Sequence, residues 1–130
     1  VRAFVPSATD DVAAEIAKLQ VTGLELDDVY TRVNELCATE HITVSVCPEP
    51  KLSTGKAAAA CGHAAQVARK KMAEQDPERF ERWRQARWAV VVEPVATEEF
   101  EVLRAHAQVV IVDAGFTEID PNTTTAVAYW

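Results

Sequence analysis

With 130 residues, 48% of them hydrophobic, the chain has the length of one domain with its own core and needs no covalent staples. A formal net charge of -7 argues against a general nucleic-acid binder, and no apolar run approaches the roughly 18 to 20 residues of a membrane span. Cys37, Cys47 and Cys61 are an odd number with no CxxC pair, which points to a reduced, cytoplasmic setting.

In chain order, Val1 to Val5 reads as a short strand at best, ended by Pro6. Thr9 suits the cap of a helix through about Leu19, with Val12, Ile16 and Leu19 on one stripe, and Thr22 and Gly23 break it. A second helix, about Asp27 to Ala38, carries Val29, Val33 and Leu36. Residues 1–40 are thus expected to form a helical extension, too small to bury a core alone and docked on the remainder of the chain. The opening on Val1 rather than Met fits a piece of a longer chain.

From His41 the pattern alternates strands with helices. Ile42 to Cys47 has period two and is ended by Pro48 and Pro50. A long alanine-rich helix runs from Gly55 to about Glu74, then Asp76 and Pro77 restart a helix as N-cap and first-turn proline, with Phe80 and Trp83 inward. Trp88 to Val92 and Val109 to Val112 are β-branched runs of the kind buried on both faces of a sheet, and Thr97 caps a short helix between them that bears Phe100 and Leu103. Thr125 to Tyr129 is the last strand. The order predicts an α/β domain over residues 41–130, a three-layer sandwich with a small mixed, mostly parallel sheet of about four strands flanked by helices.

Two stretches carry the polar chemistry. In KLSTGKAAAACGHAA, Lys51 to Ala65, the glycine-lysine pair is no nucleotide phosphate loop, because no earlier glycine precedes Gly55 and Ala57 follows Lys56 where a magnesium-holding hydroxyl is needed. Gly55 at a helix start, flanked by Lys51 and Lys56, still suits a phosphate or carboxylate. His63 lies two helical turns after Lys56 on nearly the same face, as a base, a phosphate ligand or a packed histidine. Cys61 points elsewhere, so a Cys-His metal pair is a weak reading. In the second stretch Asp113 ends the apolar run VVIV before Gly115, which places its carboxylate at the mouth of the sheet or on nearby backbone N–H groups. Charge is uneven: residues 51–90 hold nine Lys and Arg against four Asp and Glu, enough for a local basic patch.

At these residues the chain resembles the archaeal and eukaryotic type of peptidyl-tRNA hydrolase. One signature appears as Lys51, Leu52, Gly55, Lys56, Ala58, Ala59, His63 and Ala64, the other as Asp113, Ala114, Gly115, Thr117, Ile119, Pro121, Thr123 and Thr125. Ala60 stands where the family has Gln, Phe116 where it has Arg, and Glu118 where it has a second Gln; the last two shift local charge toward negative, which disfavours a polyanion. The resemblance implies hydrolysis of the ester joining a peptide to the 3′ end of tRNA, with no metal and no cofactor. Asp113 would be the orienting or basic carboxylate, His63 its partner, Lys51 the electrostatic stabiliser and Thr117 a hydrogen-bonding residue. Gly55 and Lys56 would hold a tRNA phosphate, with Thr123 and Thr125 also on the substrate side. The partner is then a tRNA end, with no membrane, and a homodimer is left open. Two alternatives use the same crevice: a catalytically silent member that binds a protein or RNA end, and an acyl-ester hydrolase unrelated to tRNA.

Overall fold

The computed structural model describes residues 40–130. The helical extension expected over residues 1–40 lies, up to residue 39, outside the described residues. Beyond it the elements are β1 (Ile42–Val46), α1 (Thr54–Gln75), α2 (Pro77–Gln85), β2 (Val90–Val92), α3 (Thr97–His106), β3 (Val109–Val112) and β4 (Thr124–Tyr129). Among the described residues no helix is long and apolar enough to cross a membrane.

The fold is the expected α/β arrangement around four strands, in the order β2-β1-β4-β3. β1 pairs parallel with β2, whereas β4 pairs antiparallel with both β1 and β3. Three strands therefore run the same way, yet only one ladder is parallel, because the fourth strand is inserted between β1 and β3. That insertion also corrects the burial expected for β2 and β3. Placed at the two edges, they leave Val90, Val92, Val110 and Val112 exposed, while the central strands bury Ile42, Val44, Ala126, Val127 and Ala128.

α1 lies on one face of the sheet. Ala60, Ala64, Ala68 and Met72 recur every fourth residue and are buried against Ile42, Val44, Ala126 and Ala128. Alanine at three of these positions lets the helix approach closely, so the sheet holds its first turn at a fixed height. On the other face Phe100 of α3 packs with Val127, Cys47 and Leu52. Thr97 begins α3 but does not cap it: the N-cap position is Ala96, with no side-chain hydrogen bond. Its first turn instead carries Glu98 and Glu99, which suit the positive end of the helix dipole.

α2 begins as expected, with Asp76 accepting from the Arg79 N–H and Pro77 in the first turn. It ends on a Schellman turn, in which the Trp88 N–H reaches the Trp83 carbonyl and the Arg87 N–H that of Arg84. Arg87 and Trp88 both have left-handed backbones, φ 60° and 61°. A side chain in that region is costly where glycine is at ease. Arg87→Gly is therefore expected to stabilise the fold by up to about 1 kcal/mol, read as a higher urea midpoint at unchanged slope.

Candidate active site

Because β1 and β3 run in the same direction, the segment after β1 and the segment after β3 emerge at one edge of the sheet. The first supplies Lys51 to Lys56 and starts α1; the second supplies Asp113 to Pro121. The β3–β4 register shifts between Ile111 and Val112, just before the turn into this second loop. Asp113 is anchored by its backbone, its N–H donating to the Thr123 carbonyl and its carbonyl accepting from the Asn122 N–H. The carboxylate then accepts from the Gly115 N–H at 2.8 Å. Gly115 has φ +78°, which glycine adopts freely.

The centre of the cluster is Lys56. Its Nζ is 2.7 Å from Asp113 Oδ2 and donates to Thr117 Oγ1 at 2.7 Å. The two charged side chains are only 10% and 23% exposed, so this pair is held with little solvent screening on the lysine side. Partial burial pushes the Asp113 carboxyl up. Hydrogen bonds from Lys56 and the Gly115 N–H, with the charges of Lys56 and His63, outweigh that and hold it below its ordinary 3.8. The folded value being lowered, the pair contributes stability that is present above 3.8 and is lost as pH falls through the folded value. Any acid limb of kcat/KM that comes from Asp113 should accordingly lie below pH 3.8; a limb above about pH 5 would belong to another group.

A cation in the first turn of a helix opposes the helix dipole, and α1 has no acidic residue of its own there. The loop after β3 compensates. Ser53 is the N-cap, its Oγ accepting from the Lys56 N–H at 3.3 Å. Glu118 closes the arrangement, one carboxylate oxygen accepting from the Ser53 N–H at 2.7 Å and the other from the Ser53 hydroxyl at 2.8 Å. This is a capping box whose acid comes from 65 residues away instead of three. The helix start expected to receive a tRNA phosphate thus already holds an anion of the chain itself.

The remaining expected residues separate. Lys51 is exposed at the same edge, and His63 is exposed on the Lys56 side of α1, with a charge that reaches Asp113. Gly55 is buried at the helix start. Lys56 is buried and engaged, which fits a phosphate holder poorly. The Thr123 and Thr125 hydroxyls are bonded to backbone: that of Thr123 donates to the Asp120 carbonyl, and Thr125 is 1% exposed, its hydroxyl 3.5 Å from the Ile111 carbonyl. Sequence reasoning missed the Ser53–Glu118 contact. Serine three residues before Lys56 signals a cap, but nothing local points to residue 118. Among the described residues no group of three or more His, Cys, Asp or Glu could hold a metal ion.

Residues 41–129 match the family described as Peptidyl-tRNA hydrolase PTH2. The chain belongs to that family. A relative from Thermococcus onnurineus (strain NA1), described as a peptidyl-tRNA hydrolase, is 39% identical over 85 residues, covering 60% of this chain and 72% of the relative. The PTH2 match spans both loops of the cluster and every described element, so the Lys56–Asp113–Thr117 cluster lies within the family domain.

Proposed function

We propose that the chain hydrolyses the ester joining a peptide to the 3′ end of tRNA and that Lys56, Asp113 and Thr117 carry the chemistry. The supporting observation is the Lys56 ammonium bonded at 2.7 Å to both Asp113 and Thr117 at the open edge of the sheet. Ester hydrolysis needs water directed at the carbonyl carbon and positive charge where the tetrahedral oxyanion forms. Asp113, ionised and aimed by the Gly115 N–H, accepts a proton or hydrogen bond from the attacking water. Lys56, already desolvated and fixed between two acceptors, faces the oxyanion with little reorganisation. Thr117 keeps the ammonium in place and offers its hydroxyl to the substrate. Lys51, exposed at the same edge, suits a tRNA phosphate, and His63 is exposed on the Lys56 side of α1.

In this reading Glu118 is not a charge that opposes the nucleic acid. Its carboxylate is turned to Ser53, and Phe116 is the departure that faces outward, 67% exposed. That exposed ring favours a second reading, a silent member docking a partner through the same edge. One assay decides: release of peptide from peptidyl-tRNA, set against cleavage of a small N-acyl amino-acid ester. Turnover of peptidyl-tRNA alone is the expected result. Turnover of both substrates indicates a general acyl-ester hydrolase, and turnover of neither indicates the silent binder.

A further inference from the structure

Much of the positive charge of residues 51–90 is not at the catalytic cluster. Part of it is engaged on the surface, where Arg79 and Arg82 pair with Glu40 and Arg84 pairs with Glu81. Arg69, Lys70 and Arg87 are exposed. Arg69 lines an open groove of about 440 Å³, whose other walls include His63 and Gln66 of α1, Trp83 of α2, Trp88 of the following turn and Val90 of β2.

Three properties of this groove belong together. Its aromatic wall is rigid: Trp83 is buried with its indole N–H on the Ala89 carbonyl at 2.7 Å, and Trp88 packs edge-on against Trp83 and Phe80 at centroid distances of 4.8 and 5.4 Å. Trp88 is nevertheless 43% exposed, a large flat ring presented to solvent from a left-handed backbone. The lining contains an arginine, a histidine and no carboxylate, in a chain with 20 acidic residues. Finally, the groove runs along the helix that carries the catalytic lysine: His63, which lines it, follows Lys56 by about 10 Å along the helix axis, and Gln66 follows by about 15 Å. That is the length of about four stacked nucleotides at roughly 3.4 Å each.

We propose that this groove binds single-stranded RNA, with Trp88 stacking on a base and Arg69 on a phosphate, and that its occupant is the tRNA 3′ end leading away from the ester. The identity of the RNA rests on the hydrolase reading; the binding itself does not. An aromatic platform beside a basic groove holds single strands without regard to sequence, which suits an enzyme that must accept every tRNA.

The test titrates the full chain with a short RNA oligonucleotide of the tRNA 3′ sequence and with deacylated tRNA, following tryptophan fluorescence. Trp88→Ala should weaken both by about 5- to 100-fold, the effect of one lost stacked base. Trp88→Phe should keep most of the affinity while losing most of the fluorescence change. Because Trp88 also packs on Phe80 and Trp83, Arg69→Ala gives a reading independent of that corner: the salt slope should become shallower by about 0.7, one phosphate contact on a single strand. Affinities and salt slopes equal to the unmodified chain in all three variants overturn the proposal. If peptidyl-tRNA is cleaved while the variants bind normally, the groove falls and the hydrolase stands. If RNA binds through Trp88 but no ester is cleaved, the hydrolase falls and the groove stands.

Discussion

Asp113→Ala is expected to lower kcat/KM on peptidyl-tRNA by about a hundredfold to ten-thousandfold, the range for a positioned acid or base. The substitution removes the acceptor that holds Lys56 Nζ at 2.7 Å and leaves an ammonium with 10% of its side chain exposed lacking its counter-charge. Asp113→Asn separates these effects. It keeps the shape and an acceptor for Lys56 but cannot take a proton, so a loss nearly as large as that of alanine marks the charge as the working property. Steady-state rates with each variant, beside thermal unfolding to confirm the fold, give the answer. An unchanged rate would remove Asp113 from the chemistry.

Gly115→Ala should be nearly as damaging although it touches no substrate. An added Cβ would lie 2.4 Å from the backbone nitrogen of Pro121, a contact that no side-chain rotation relieves, at a φ of +78° that itself costs an L-residue about 1–2 kcal/mol. The loop must open, and with it goes the N–H that aims Asp113. A displacement of about 1 Å at a catalytic group can lower the rate about a hundredfold. The expected pattern is a lower unfolding midpoint together with a kcat reduced by at least about tenfold. A variant that is less stable but fully active would show that the Gly115 N–H does not position the carboxylate.

The sequence foretells elements and edge better than contacts. Period-two alternation marks Ile42 to Cys47, and the alanine spacing marks α1, because both follow from local geometry. Asp113 after an apolar run followed by Gly115 is legible for the same reason. The burial of β2 and β3 is not legible, since a short run of valines is identical whether its strand is central or at an edge, and only the pairing partner decides. The roles of Lys51 and Lys56 are equally hidden: both flank Gly55, and it is the arrival of Asp113 and Thr117 from more than fifty residues away that buries one and leaves the other in water. Glu118 reads as a charge facing the nucleic acid because its donor, Ser53, is remote in sequence.

β4 is synthesised after the other three described strands and yet lies between β1 and β3. Until it emerges from the ribosome, β3 has no ladder to join, α1 has no Ala126 or Ala128 to rest on, and the loop that carries Asp113 has no second anchor. Folding of this domain therefore cannot be completed strand by strand behind the ribosome: β1 and β2 can pair early, but the β1–β4 and β3–β4 ladders wait for residues 124–129 and then close together. A nascent chain arrested before Thr124 would hold both lysines and the aspartate of the cluster without holding them in one place, so catalytic competence arises in a single late step rather than by degrees.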